Sequence, residues 1–261
     1  MHILITNDDG IQSPGIHVLR DALQQGGHEV EVIAPDMERS AIGHAITLRK
    51  PIWAKKTYRD GEYFGYETSG TPADCVKLGI LQICTKPIDL VVSGINLGAN
   101  IGSDIPYSGT VSGALEGAIM GYPAIAISSV NPAEPYFPTA GRVLVEFLKQ
   151  FDPKKIPKFG ALNINVPSLP FHEIQGMKWT LQGAKRFDDY FEERKDPYGN
   201  AYYWLMGSYL EEIEDPKNDD WAVSHGFVSV TPLSVFMTDM MAFKEFDKLY
   251  PSQDFFPGET L

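Results

Sequence analysis

Short apolar runs of strand length alternate with helix-like stretches along the first two-thirds of the chain. The predicted strands cover residues 2–6, 29–34, 88–93, 124–128 and 161–166. Apolar spacing and helix-start signals predict helices over residues 16–25, 71–83, from 110 onward, and 139–151. Two further β-like runs within residues 46–66 flank Asp60-Gly61, which indicates a hairpin. This alternation is typical of a parallel sheet built from βαβ units.

The hydrophobic pattern therefore predicts an α/β fold with a three-layer, Rossmann-like core and a mostly parallel sheet. The pattern changes after residue 167, because residues 174–235 read as aromatic-rich β-hairpins and residues 238–250 as a last helix. We expect a single domain over residues 1–261. It consists of a core (1–167) and a C-terminal extension with a hairpin arm and a helix (168–261).

Charge limits the kinds of partner that the chain can bind. It has 34 acidic and 22 basic side chains, a formal net charge of −12. Affinity for nucleic acid depends on Lys and Arg at phosphates, so we expect no stable nucleic-acid partner. A small anionic substrate is compatible with this charge if a metal ion or helix N-termini supply local positive charge.

The predicted location is cytoplasmic. No apolar run approaches the ~20 residues of a membrane helix, and the first residues, MHILITNDDG, lack the features of a secretory signal. Cys75 and Cys84 are nine positions apart. If both lie in one helix, about 13 Å separates them along its axis, which is too far for a disulfide, so we expect two reduced thiols. The lack of a long apolar run also leads us to expect no membrane association.

Polar residues follow three of the predicted strands. Asn7, Asp8, Asp9 and Gly10 come after the first strand, and Asp36, Glu38, Arg39 and Ser40 after the second. The segment 94–98, with Asn96, follows the strand over residues 88–93. Ligands bind at the carboxyl edge of open parallel sheets, so we expect these side chains to converge.

The adjacent carboxylates of Asp8 and Asp9 are the most informative feature. They repel each other, and partial burial of both requires a nearby cation. Carboxylate, amide and hydroxyl oxygens favour a hard divalent ion, Mg²⁺ or Mn²⁺, over zinc. Asn-Asp-Asp-Gly is also good turn chemistry, so a solvated turn without metal is the alternative interpretation.

The glycine-rich segment over residues 93–113 contains no Lys or Arg. Ser108, Gly109 and Thr110 lie where a helix begins, and helix N-termini bind phosphate. A loop of this length is typically functional; the alternative is a mobile loop without a ligand. Glycines recur every fourth residue, which predicts one closely packed helix face: Gly109, Gly113, Gly117 and Gly121.

Two other features each allow two interpretations. His44 is either a proton shuttle or, as we favour, a structural histidine. The aromatic residues around the turn at 196–199 either stack on a nucleobase or, as we favour, pack a hairpin or a subunit interface. They are Tyr190, Phe191, Tyr202, Tyr203 and Trp204.

Six ordered segments resemble the SurE family of survival proteins. They are ILITNDDGI (3–11), APDMERSAIGHAIT (34–47), SGTPADCVKLG (69–79), DLVVSGINLGANIG (89–102), SGTVSGALEGA (108–118) and YFEER…YYW (190–204). The resemblance implies a Rossmann-like 5′-nucleotidase that binds one Mg²⁺ or Mn²⁺ per subunit. It implies a homodimer or homotetramer with an exchanged C-terminal arm. The implied metal ligands are Asp8, Asp9, Ser40 and Asn96.

We therefore expect hydrolysis of nucleoside 5′-monophosphates, with 3′-monophosphates and short polyphosphate as further candidate substrates. The metal lowers the pKa of a water molecule, which Asp8 or Asp9 orients or deprotonates. The expected contacts to the phosphate are Asn96, Gly98, Ser108, Gly109 and Thr110. A phosphoaspartate route through Asp8 is less favoured. A receiver-like signalling module is the alternative function, but Asn96 stands where its phosphoacceptor aspartate belongs.

Overall fold

The computed structural model describes residues 1–131, 133, 135–209 and 215–249. Eleven strands lie within these residues. They are β1 (His2–Thr6), β2 (Glu29–Pro35), β3 (Ala54–Arg59), β4 (Glu62–Thr68), β5 (Leu90–Leu97), β6 (Ala124–Ser129), β7 (Gly160–Val166), β8 (Met177–Trp179), β9 (Phe187–Lys195), β10 (Ala201–Tyr209) and β11 (Val228–Ser234). The helices are α1 (Pro14–Gln25), α2 (Pro72–Leu78), α3 (Gly109–Ile119), α4 (Phe137–Gln150), α5 (Asp219–Ser224) and α6 (Met240–Leu249).

Nine strands form one mostly parallel sheet with the order β3-β4-β2-β1-β5-β6-β7-β11-β8. The strands from β4 to β7 in this order are parallel, whereas β3 and β11 run antiparallel to β4 and β7. The chain first builds outward from β1 through β2 to β4, and then returns to place β5 on the other side of β1. The boundary between β1 and β5 is therefore the topological switch point, where ligands bind in open α/β sheets.

Helices cover both faces of this sheet, because its strands present apolar side chains in both directions. Ile3 and Ile5 point into a buried cluster with the apolar sides of α1 and α4. Leu4, between them in sequence, points to the opposite cluster beneath α2 and α3. This alternation has the period of two residues that a strand imposes, and it confirms the predicted three-layer α/β core.

The glycine-rich segment has more regular structure than the sequence suggests. The strand predicted to end at Ser93 continues as β5 to Leu97, with an irregular register between Ser93 and Asn96. A 3₁₀ helix follows at Gly102–Tyr107, and α3 starts directly after it. The expectation of one long loop between the strand that ends at 93 and the helix that begins near 110 was therefore wrong, because short-range turns and sheet pairing satisfy much of its backbone.

The predicted glycine stripe also needs a correction at its end. Helix α3 ends at Ile119, so Gly121 lies in the following turn, where its φ is +91°. Glycine adopts this left-handed conformation without steric cost. Within the helix, a Cβ on Gly113 or Gly117 would overlap β5 or β1 side chains, which confirms close packing on the sheet.

The C-terminal extension contains the predicted hairpin and helix. Strands β9 and β10 pair antiparallel in a separate two-stranded sheet, and α6 runs over most of the span predicted for a last helix. Strand β11 returns to the main sheet beside β7. The first of the two strands predicted within residues 46–66 begins only at Ala54. Residue 250, the predicted end of the last helix, and the tail over residues 251–261 lie outside the described residues. Within the described ranges, no helix has the length and apolar character needed to span a membrane.

Candidate functional site

The polar residues that follow β1 and β5 meet at the switch point. Thr6 pairs with Ser93 in the parallel register of the two strands, so the residues after each strand are neighbours. The backbone N–H of Leu97 donates a hydrogen bond to Asp9 Oδ2 (3.1 Å). The structure therefore brings the predicted carboxylates and the predicted Asn96 together at one edge of the sheet.

The turn after β1 is fixed by Asn7, which is fully buried. Its side-chain amide donates hydrogen bonds to Gly10 O (2.9 Å) and Ser13 Oγ (2.8 Å). Gly10 has a φ of +92°, and a Cβ there would lie 3.1 Å from the backbone of Met37. This local network makes the Asp8-Asp9 turn rigid and holds it against the loop that follows β2.

Asp8 is buried between β1 and the N-terminus of α3, with 5% of its surface exposed. The hydroxyl of Thr110 donates a hydrogen bond to Asp8 Oδ1. A Cβ on Gly109 would lie 2.8 Å from Asp8 Cβ and 2.9 Å from Oδ2. Burial raises the pKa of Asp8 above its ordinary value, although the Thr110 hydrogen bond opposes this rise. The structure therefore provides a buried carboxylate that a cation would stabilise as the anion.

Asp9 shows the same effect at a more open position. Burial and then the charge of Asp8 raise its pKa from 3.8 to about 6, while the Leu97 hydrogen bond opposes the rise. The negative charge of Glu38 acts on both carboxylates in the same direction. Two adjacent acids with raised pKa values indicate a site that lacks its compensating positive charge in the protein alone.

Ser40 lies in the loop that follows β2, directly after a residue that contacts the Asp8-Asp9 turn. The backbone N–H of Arg39 donates to the carbonyl oxygen of Asp8 (2.7 Å), which attaches the loop to the Asp8-Asp9 turn. The Ser40 hydroxyl is exposed and donates to Glu38 Oε1 (2.6 Å). Its oxygen lone pairs stay available for an additional interaction.

Asn96 lies near the end of β5, half-buried beside the same turn. Its side-chain nitrogen donates to Gly98 O (2.8 Å), which fixes the orientation of the amide. Gly98 has a φ of +114°, and its N–H donates to Ser129 O (2.9 Å). The amide oxygen of Asn96 is the group that can accept a cation or a donor here.

The N-terminus of α3 forms the remaining wall of the site. Ser108 is the N-cap residue, and its hydroxyl oxygen accepts a hydrogen bond from the N–H of Val111 (3.0 Å). The first N–H groups of a helix and its dipole favour negative charge, and this end abuts Asp8. The structure thus places Gly109 and Thr110 beside Asp8, with Ser108 directly before them in the chain.

This donor set suits a hard divalent cation. Among the described residues no group of three or more His, Cys, Asp or Glu side chains could hold a metal. The switch point instead offers two carboxylates with hydroxyl and amide oxygens, the ligands that Mg²⁺ and Mn²⁺ prefer. The raised pKa values of both carboxylates are the independent observation that fits a cation there.

His44 makes a contact that sequence reasoning missed. Its Nε2 lies 2.8 Å from Glu116 Oε2, a side chain with 3% exposure on α3. Lys77 of α2 forms an ion pair with the same carboxylate, with Nζ 2.5 Å from Glu116 Oε1. These residues are 72 and 39 positions from their partner, so no local pattern indicates the contacts.

The aromatic residues singled out in the sequence belong to a different sheet. They lie on β9 and β10, whereas Asp8 follows β1 and Asn96 lies on β5, both strands of the main sheet. Trp204 pairs with Glu192, and Phe191 pairs with Leu205, in the antiparallel register. Several of these side chains are more than half exposed: Tyr190, Phe191, Tyr203 and Trp204.

Comparison with known proteins gives a consistent result. The family model described as "Survival protein SurE" matches residues 3–189. The protein named 5′-nucleotidase SurE of Thermosipho melanesiensis is 53% identical over 250 residues, 96% of this chain and 98% of that protein. The protein of the same name from Kosmotoga olearia is 55% identical over 239 residues, 92% and 94% of the two chains.

A solved structure agrees with the sequence comparisons. The crystal structure of the SurE protein from Aquifex aeolicus has a TM-score of 0.83 and 41% sequence identity, and the match covers 95% of this chain and 99% of that one. The fold, the ordered motifs and the near-complete coverage confirm the resemblance inferred from the sequence. The chain belongs to the SurE family.

Proposed function

We propose that this chain is a metal-dependent 5′-nucleotidase that releases phosphate from nucleoside 5′-monophosphates. The observation that carries the proposal is the pair of adjacent carboxylates, Asp8 and Asp9, whose pKa values are raised beside the N-terminus of α3. The names of the relatives support the same activity. An acidic protein can bind an anionic ester here because a cation and helix α3 supply the local positive charge.

The cation in this proposal is one Mg²⁺ or Mn²⁺ per subunit, held by Asp8, Asp9, Ser40 and Asn96. This ligand set is supported by two backbone contacts of neighbouring residues: the Arg39 N–H bonds to Asp8 O, and the Leu97 N–H bonds to Asp9 Oδ2. When bound, such an ion supplies a Lewis acid that polarises the phosphate and acidifies water.

The protein groups divide into a proton-handling set and a phosphate-holding set. Asp8 or Asp9 orients a water molecule and accepts its proton. Asn96, Gly98 and the start of α3 (Ser108, Gly109, Thr110) hold the phosphoryl oxygens. The water oxygen forms a bond to phosphorus in line with the ester bond that breaks. The nucleoside 5′-oxygen takes up a proton from solvent as it leaves, and the aspartate returns the proton of the attacking water to solvent.

Hydrolysis of AMP with Mg²⁺ or Mn²⁺, measured as released phosphate, tests this function. We expect EDTA, Asp8→Asn and Asp9→Asn each to lower kcat/KM by about 10²-fold or more. Asp60→Asn is the matched control, because that carboxylate is 92% exposed in the β3–β4 turn. Full activity in the Asp8 and Asp9 variants, or in EDTA, would refute the proposal. A panel with 3′-monophosphates and short polyphosphate defines the substrate range.

Three further assignments belong to this proposal. The assembly is a homodimer or homotetramer that exchanges the C-terminal arm, which is supported by the exposed aromatic side chains of β9 and β10. The location is cytoplasmic, which is supported by two free thiols, Cys75 and Cys84. The single domain over residues 1–261, with its core at 1–167 and extension at 168–261, stays a prediction.

A further inference from the structure

The loop that carries Ser40 has no helix or strand, yet it is attached to its surroundings along its whole length. We call residues 39–47 the Ser40 segment. At its start, the Arg39 N–H bonds to Asp8 O (2.7 Å). Its other bonds are Gly43 N–H to Tyr107 O (2.9 Å), Thr71 Oγ1 to Ala45 O (2.7 Å), and Thr47 N–H and Oγ1 to Asp74 (3.0 and 2.6 Å). Neighbouring elements therefore determine the position of Ser40.

The contact between His44 and Glu116 attaches this segment to helix α3. The Glu116 carboxylate is nearly inaccessible, at 3% exposure, and the hydrogen bond to His44 is 2.8 Å long. Burial raises the pKa of Glu116, but His44 and Lys77 together lower it below the ordinary value. Glu116 is therefore a buried anion that depends on two cationic or donor partners.

Burying the Glu116 carboxylate is a poor means of stabilising a fold, because its desolvation offsets most of the attraction to its partners. Its directional contacts instead specify one arrangement of the groups that it joins. Here the joined groups are α2, α3 and the Ser40 segment. Helix α3 also provides the phosphate-holding start at Ser108–Thr110, so the contact connects a ligand loop to the helix that faces the phosphate.

We infer that the Glu116–His44 contact positions the Ser40 segment. In the position that it fixes, Ser40 is oriented to bind the metal ion and the Arg39 N–H stays bonded to Asp8 O. His44 and Glu116 are positioning residues in this inference, since neither is a ligand or contacts the reacting atoms. The inference rests on the proposed function, because it assumes that Ser40 is a metal ligand. Partners that orient ligands commonly change metal affinity by 10- to 100-fold when removed.

Direct Mn²⁺ binding by isothermal titration calorimetry, without substrate, tests the inference. We expect His44→Ala to weaken Mn²⁺ binding on the order of 10-fold. We expect His44→Gln, whose amide nitrogen can donate to Glu116, to recover most of this loss. Lys77→Met is the matched control: it removes the other partner of Glu116, which does not belong to the Ser40 segment, and we expect a change within about 3-fold.

A second variant separates positioning from general instability. Glu116→Gln keeps a side chain of the same size and changes the other partner of the His44 contact. Because both substitutions act on one contact, we expect the double variant Glu116→Gln/His44→Ala to bind Mn²⁺ no more weakly than the weaker-binding of the two single variants. Thermal unfolding without metal checks that each variant is folded. Wild-type Mn²⁺ affinity in His44→Ala, or an equal loss in Lys77→Met, would overturn the inference alone. Absence of Mn²⁺ binding and AMP hydrolysis in the wild-type protein would overturn the proposed function itself.

Discussion

Gly109 gives a sharp test of the packing at the site, because it separates the effect on Asp8 from the effect on stability. A Cβ on Gly109 would lie 2.8 Å from Asp8 Cβ and 2.9 Å from Asp8 Oδ2. Ordinary van der Waals contact begins near 3.4 Å, so Gly109→Ala must displace the Asp8 side chain by roughly 0.6 Å. Overpacking of this kind costs about 1–3 kcal/mol of unfolding free energy.

The matched control is Gly117→Ala, two turns further along α3. Its Cβ would lie 2.8 Å from Val91 Cβ, an overlap of the same size against an apolar side chain of β5. The two substitutions should therefore cost similar stability. Only Gly109→Ala moves a carboxylate of the site, and we expect it to weaken Mn²⁺ binding by about 10- to 100-fold.

Two assays on the same preparations make the comparison. Urea unfolding without metal measures the cost in stability, and calorimetric Mn²⁺ titration measures the affinity. We expect both variants to be destabilised and only Gly109→Ala to lose affinity. Equal Mn²⁺ affinity in the two variants would refute the argument that α3 packs directly against a metal ligand.

Three further outcomes follow from the same structure. The folded-state pKa of Asp9 is raised from 3.8 to about 6, so its contribution to stability is present below pH 4 and is lost as the pH rises through about 6. At pH 7.5 and without metal, the free energy of unfolding of Asp9→Asn should therefore be about 1–3 kcal/mol higher than that of the wild type. Equal stability at that pH would contradict this. Mn²⁺ at 100 times its Kd should stabilise the wild type by about 2.7 kcal/mol, seen as a rise in Tm of roughly 5–10 °C that Asp8→Asn abolishes. Gly94→Ala, with φ at +141° and a Cβ 2.2 Å from Ile127 O, should cost about 3–5 kcal/mol in urea unfolding. In Gly27→Ala, where nothing lies within 4 Å, the cost should be about 1–2 kcal/mol.

The sequence predicts the core of the fold because its signals are local. The alternating side chains of β1 and the start of α2, with Thr71 as N-cap and Pro72 following, each depend on residues a few positions apart. The end of β5 could not be read in this way. Its last residues, Gly94 to Leu97, have the composition of a loop, and pairing with β6 alone keeps them in the sheet. The short β8 likewise depends on a distant partner, β11.

The candidate site divides along the same line. Strand ends and the helix start indicate Asp8, Asp9, Asn96 and Ser108–Thr110, because topology brings these positions together. Ser40 is one of several polar residues after the second strand, and its selection as a metal ligand came from the resemblance, since an exposed serine in a loop carries no signal of its own. The contacts that hold the loop join residues far apart in sequence, such as His44 and Glu116, so only the structure reveals them.

Anomalous diffraction from crystals soaked in Mn²⁺ tests the central claim most directly. We expect one Mn²⁺ peak per subunit at the switch point, within bonding distance of oxygen atoms from Asp8, Asp9, Ser40 and Asn96. Crystals of Asp8→Asn, soaked in the same way, should lose most of that peak. A strong peak elsewhere in the chain, or no peak at Mn²⁺ concentrations that saturate AMP hydrolysis, would contradict the account.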